Sequence, residues 1–249
     1  GSEMCIRDSS ECMPMIYLYA VELKEQQYDD AILNLLDQIS KEKRERAKRY
    51  IKLMDRKRCI MGEILLQYLL WIHFRIRREE ILFEYNEFGK PFLVKQKDIF
   101  FNISHSGEWI FCGIGDVPMG IDVEGGDCKF QSLAKSCFTV SENEYLKRLA
   151  PNHQKGAFYK IWTLKESYVK CVGKGLHIPF NSFYFDFTDE KIQLYVNGEL
   201  EGNYSFQSQR LDEDYTMSYC ICGHTYDIWK DSLQKISLRE LFQFAKLET

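Results

Sequence analysis

The chain has 249 residues, with 33 Lys and Arg against 37 Asp and Glu, for a formal net charge of −4. That length holds one large domain or two modest ones, and 45% hydrophobic with 28% charged residues indicates a packed core, not a disordered chain. The acidic balance excludes nucleic acid as the main partner. The longest apolar stretch, residues 64–74, is interrupted by Gln67 and His73 and is too short for a membrane span.

Residues 1–14 lack periodicity and Gly1-Ser2 resembles a tag remnant, so a non-native or disordered leader is expected there, followed by an N-terminal half, 15–118, and a C-terminal half, 119–249. A first strand is predicted over 16–21 and a short amphipathic helix over 31–39. Ser40 then caps a basic helix running to about Tyr50. Asp55 is the expected cap of the next helix, whose Ile60, Ile64, Tyr68, Leu69 and Ile72 follow the 3.6-residue period. Short strands follow at 82–85, 92–94, 100–103, 109–115 and 120–123, punctuated by Asn86, Gly89-Lys90-Pro91, Ser106-Gly107 and Asp116-Val117-Pro118. From Gln131 the chain reads helical, and a long helix over 156–172 stops at Gly173. Strands are predicted at 183–187, 192–195, 204–209 and 215–222, and a capping-box pattern at Ser237 opens a last helix. This order gives an α+β protein of two similar-sized halves. The nine scattered cysteines read as free thiols of a reducing cytoplasm. Cys220 and Cys222 belong to a strand and lack a second metal-spaced pair.

The chemistry concentrates in two clusters. In Gly120-Ile121-Asp122-Val123-Glu124 the strand period puts Asp122 and Glu124 on one face. In Trp162 to Lys170 the helix puts Glu166 and Lys170 one turn apart. Three carboxylates facing one point suit a hard, oxygen-seeking cation such as Mg2+ (Mn2+ is an alternative), and the lysine suits a phosphate. Each pair has a plainer reading, as solvated carboxylates or an i,i+4 helix pair. Asn102-Ile103-Ser104-His105-Ser106 is read as a strand-to-turn junction where backbone N–H groups and hydroxyls hold phosphate. No G-x-S-x-G elbow supports a hydrolase. The run Lys41, Lys43, Arg44, Arg46, Lys48, Arg49 is either a solvated helix face or a local anion site, with Lys43 and Arg46 sharing a face.

In order and spacing, Gly89-Lys90-Pro91, Asn102 to Ser106, Gly120 to Glu124 and Trp162 to Lys170 with Gly173 to Leu176 resemble the motifs of the Sfp-type 4′-phosphopantetheinyl transferases. The resemblance covers roughly residues 16–222. It implies a monomeric, cytoplasmic protein whose two α/β halves are related by pseudo-twofold symmetry. It also implies a reaction: transfer of 4′-phosphopantetheine from coenzyme A to a serine of an apo acyl- or peptidyl-carrier protein, with release of 3′,5′-ADP. Carriers of this kind serve fatty-acid, polyketide and nonribosomal-peptide synthesis. Asp122, Glu124 and Glu166 would hold Mg2+, and Glu166, or a metal-bound water near Glu124, would be the base. Lys170 would stabilise the leaving phosphate. Lys43, Arg46 and His105 would bind the 3′-phosphate, Ser104 a phosphate nearby, and Gly89, Lys90 and Pro91 would frame the adenine. Glu142 sits where the family often places an accessory acid. Phe130, Leu133 and Phe138 are candidates for hydrophobic carrier docking, although core packing is the commoner fate of such residues. A docking module without catalysis and a pyrophosphatase acting on coenzyme A are the competing readings.

Overall fold

The computed structural model describes residues 14–187, 191–223 and 233–247, so the expected leader lies, Pro14 aside, outside the described residues. The first half opens with β1 (Ile16–Glu22), followed by α1 (Asp29–Leu33), α2 (Lys41–Arg49), the 22-residue α3 (Leu53–Phe74), the hairpin β2 (Phe83–Tyr85) and β3 (Pro91–Leu93), then β4 (Phe100–Ser106) and β5 (Trp109–Gly115). The second half runs β6 (Met119–Gly125), α4 (Phe130–Cys137), α5 (Val140–Arg148), the 22-residue α6 (Pro151–Val172), β7 (Phe183–Asp186), β8 (Gln193–Val196), β9 (Glu199–Leu200), β10 (Tyr204–Arg210) and β11 (Tyr215–Cys222). The chain ends in β12 (Leu233–Lys235) and α7 (Leu238–Leu247).

The halves repeat one plan. Each has a strand, a long helix, a hairpin and two strands, and in each sheet the last strand lies between the first and the penultimate: β1-β5-β4 in one, β6-β11-β10 in the other. The approximate twofold relation is thus visible in the topology even though no repeat shows in the letters. Side-chain alternation explains the layering. On β1, Tyr19 and Val21 join a core under α3, whereas Ile16, Leu18 and Ala20 join a core against β6 and β11. Strand β5 divides in the same way, with Ile110, Cys112 and Ile114 on one side and Trp109 and Phe111 on the other. The two sheets therefore pack face to face, and α3 and α6 cover the outer faces. Strand β12 pairs parallel to β1, and α7 places Leu238, Leu241 and Ala245 in the α3 core, so the C-terminal segment returns to the first half.

Local expectations needed three corrections. The helix expected over 31–39 is α1 followed by a 3-10 turn, Asn34–Gln38; Asn34 and Asp37 are poor helix formers. Asp55 does not cap α3; the cap position is Lys52, and Asp55 lies in the first turn paired with Arg58. Strand β4 extends through Ser106, so Ser104-His105-Ser106 are strand residues and not a turn junction. Ser40 does cap α2, accepting a hydrogen bond from the Lys43 N–H, and Gly173 ends α6 at φ 77°.

Candidate active site

Strands β4 and β6 run side by side in the same direction along the seam between the halves, joined by side chains. Asn102 Oδ1 accepts from the Ile121 N–H at 2.8 Å, and Ser104 Oγ accepts from the Val123 N–H at 3.3 Å. Ser104 Oγ donates to Asp122 Oδ1 and Ser106 Oγ to Glu124 Oε2, both at 3.0 Å. Strand β6 also lies very close to α6. A Cβ on Gly120 would sit 2.0 Å from the Ser167 carbonyl oxygen and 2.4 Å from the Cys171 nitrogen. The missing side chain of Gly120 is what lets the strand bearing Asp122 and Glu124 come down onto the helix bearing Glu166 and Lys170.

The acids and the lysine meet at this seam. Lys170 Nζ lies 2.6 Å from Asp122 Oδ1 and 3.2 Å from Ser104 Oγ. Asp122 is 2% exposed, and its second oxygen, Oδ2, is buried with no hydrogen-bond partner. Burial pushes the Asp122 pKa up, against Lys170, Ser104 and the Val123 N–H. Burial opposes the Lys170 ammonium, but Asp122 more than restores it, helped by Glu166 and Glu124, so the lysine stays charged. Glu124 is pushed up to about 7 by burial and then by Asp122, while Ser106 and Lys170 pull the other way. Glu166 is raised by burial and then by Asp122, against Lys170. The charge of Asp122 thus raises both glutamates, and Lys170 offsets part of that effect. Among the described residues, no three His, Cys, Asp or Glu side chains are grouped so that they could hold a metal ion as they stand.

A cavity of about 270 Å³ opens beside this cluster. Ser104 and Ser106 point from β4 toward β6, whereas Phe101, Ile103 and His105 line the cavity, so one strand serves both sites. Lys43 and Arg46 enter from α2, and Gly89 and Pro91 from the β2–β3 turn. Arg58, on α3, also lines it and donates to the Gly107 carbonyl at 3.0 Å. Sequence reading missed Arg58 because it stands outside the basic run and one turn from an acid. Two other basic residues of α2 are engaged elsewhere: Arg44 pairs with Asp37 and Lys48 with Glu45. His105 is exposed. Its pKa is lowered by the protein packed around it, then by Arg58, with smaller effects from Lys43 and Lys170; water at the open ring screens part of that shift.

Three expected site residues make polar contacts within the protein. Ser104 is 5% exposed, and its hydroxyl meets Asp122, the Val123 N–H and Lys170. The Lys90 side chain turns away from the cavity, and its Nζ donates to the carbonyls of Lys170, Cys171 and Met119 at 2.6, 3.2 and 3.1 Å. Glu142 is 3% exposed. It closes a capping box with Thr139 and pairs at 3.0 Å with Lys165, which is wholly buried. Burial pushes Lys165 down to about 8 against the attraction of Glu142. Glu142 is thus a core counter-ion. Glu142→Ala leaves an uncompensated buried ammonium and should cost about 3–5 kcal/mol in urea denaturation, and replacing both partners with apolar residues should recover most of it. A loss near zero for the single variant would contradict the pairing. Of the docking candidates, Phe138 is 4% exposed and packs on Phe158, whereas Leu133 is 38% exposed.

The fold and the seam site define the class, and comparison with known proteins agrees. Residues 118–220 match the family model of the 4'-phosphopantetheinyl transferase superfamily, and residues 26–113 match that of the 4'-phosphopantetheinyl transferase N-terminal domain. The 4'-phosphopantetheinyl transferase gsp of Aneurinibacillus migulanus is 36% identical over 86% of this chain and 88% of its own length. The 4'-phosphopantetheinyl transferase Sfp of Bacillus subtilis is 32% identical over 73% of this chain and 81% of its own. A crystal structure of a Bacillus anthracis holo-(acyl-carrier-protein) synthase in complex with CoA (3',5'-ADP) aligns at 16% identity and TM-score 0.36, over 44% of this chain and 97% of that one, a likeness too slight to carry weight. The chain belongs to the Sfp-type 4′-phosphopantetheinyl transferases. No helix among the described residues is long and apolar enough to cross a membrane.

Proposed function

We propose that the protein, a cytoplasmic monomer, moves 4′-phosphopantetheine from coenzyme A to a serine of an apo acyl- or peptidyl-carrier protein and releases 3′,5′-ADP. The observation that carries this reading is the convergence of Asp122, Glu124, Glu166 and Lys170 at the seam, beside a cavity lined by Lys43, Arg46, Arg58 and His105. In this reading the 3′-phosphate of the nucleotide would lie among these cations and its base against Pro91. Its diphosphate would be directed toward Lys170. The serine oxygen attacks the β-phosphorus, the bond from that phosphorus to the bridging oxygen breaks, and 3′,5′-ADP departs with the electron pair while Lys170 holds the charge developing on it. The serine proton passes to a carboxylate. Glu166 suits that role better than Glu124. It takes no hydrogen bond from a described residue, while Glu124 accepts one from Ser106; burial raises the pKa of both acids.

The donor set fits Mg2+. The orphaned Asp122 Oδ2, with Glu124 and Glu166, is an open set of hard oxygens of the kind that magnesium completes with substrate phosphates. When bound, the ion would neutralise the pyrophosphate oxygens. The exposed Leu133, Val140 and Tyr145 on α4 and α5 offer an apolar face for the carrier.

The decisive assay is intact-mass spectrometry of several apo carriers incubated with coenzyme A, Mg2+ and the protein. A gain of one phosphopantetheinyl group is expected. Unchanged carriers, with folded protein, would sink the proposal, and release of 3′,5′-ADP without a carrier would favour a pyrophosphatase. A second expectation concerns pH. Because burial and Arg58 lower the His105 pKa in the free protein and an anion beside it should raise it, coenzyme A binding should take up a proton and tighten as pH falls from 8 toward 6. Calorimetry in buffers of different ionisation heat should show that uptake, and His105→Gln should abolish it. Equal uptake in the variant would remove His105 from the phosphate site.

A further inference from the structure

We infer that Lys90 is a positioning residue, which fixes Lys170 against the wall of the nucleotide cavity and does not itself touch coenzyme A. The inference presumes the transfer reading above. Gly89 and Pro91, on either side of Lys90, line the cavity. Asn86 closes their turn, its Oδ1 accepting from the N–H groups of Phe88 at 3.0 Å and Lys90 at 2.8 Å. The Lys90 side chain leaves in the opposite direction, across Gly173. A Cβ on Gly173 would lie 2.9 Å from Lys90 Cδ, so the glycine that ends α6 also makes room for this stem.

The ammonium of Lys90 has three protons, and each has a carbonyl within reach: Lys170 at 2.6 Å, Cys171 at 3.2 Å and Met119 at 3.1 Å. The first two belong to the last turn of α6, where unpaired carbonyls and the helix dipole favour a cation. The third opens β6, the strand that carries Asp122 and Glu124. Asn86 Nδ2 adds a bond to the Gly173 carbonyl at 2.9 Å. One short turn of the first half therefore grips both elements of the second half that bear the reacting groups. The backbone of Lys170 cannot slide relative to Gly89 and Pro91 without breaking these bonds. Phosphoryl transfer depends on such registry, because an error of about 1 Å between bound substrate and catalytic group can cost about 100-fold in rate.

The test separates positioning from contact and from simple stability. Lys90→Met keeps the stem and removes the grip. At a temperature where circular dichroism shows the variant folded, kcat for carrier modification should fall about 10- to 100-fold, with the calorimetric Kd for coenzyme A unchanged. A Kd weakened in step with kcat/KM would make Lys90 a ligand contact and overturn the inference, as would a wild-type kcat. Asn86→Asp keeps the turn-closing acceptor and loses the donor to Gly173. The same split is expected of it, and it decides the matter if Lys90→Met does not fold. A wild-type protein that binds coenzyme A but modifies no carrier would instead defeat the transfer reading itself.

Discussion

Replacing Asp122 by Asn lowers carrier modification by about 100- to 1,000-fold, the loss typical of one group aimed at transition-state charge, and leaves the fold in place. Asn keeps Oδ1 as an acceptor for Ser104 and Lys170, and the change relieves the burial of a carboxylate that is 2% exposed. The stability change should therefore stay within about 2 kcal/mol, the scale of a hydrogen bond to a charged group. What the variant loses is negative charge at Oδ2, the oxygen without a hydrogen-bond partner among the described residues. Steady-state kinetics with Mg2+ varied, paired with thermal denaturation, checks both parts. Undiminished turnover would remove Asp122 from the reaction, and a collapse of stability with normal specific activity in the surviving fraction would make it a packing residue.

The second large effect is expected in the cavity. Lys43→Ala with Arg46→Ala should raise the KM for coenzyme A by about 100-fold, because each deleted charge-assisted bond is worth about 1.5–3 kcal/mol and solvent access keeps these two at the low end. The turnover number should change little, since neither residue belongs to the Asp122 cluster. Coenzyme A lacking its 3′-phosphate provides the control: wild type and variant should bind it with similar affinity. An equal loss with both ligands would place the 3′-phosphate elsewhere, and a lower kcat at unchanged KM would move these residues into the chemistry.

What could be read from the letters was what is periodic or local. Asp122 and Glu124 share a strand face and Glu166 and Lys170 a helical turn, and the structure brings these pairs to one seam. The Ser40 cap and the Gly173 stop are local signals and were found where expected. Ser104 to Ser106 were read as a junction because small polar residues favour turns; their ladder with β5, in which Ser104 faces Phe111 and Ser106 faces Trp109, makes them strand residues. Lys90 and Lys165 were the least legible. A lysine reads as solvated because burying its charge is costly, and the partners that make burial tolerable lie far along the chain: Met119 and Lys170 for one, Glu142 and Phe183 for the other. The pairing of β12 with β1 is equally long-range and has no trace in composition or spacing.

The central claim is that acids from two elements clasp a divalent ion beside the diphosphate of coenzyme A. Diffraction from crystals soaked with coenzyme A and Mn2+ addresses it most directly, because the ion's anomalous signal marks its position. The account predicts a peak bonded to Asp122 Oδ2 and flanked by Glu124 and Glu166, with the diphosphate between it and Lys170. A nucleotide lodged in another hollow, or a peak remote from Asp122, would contradict it.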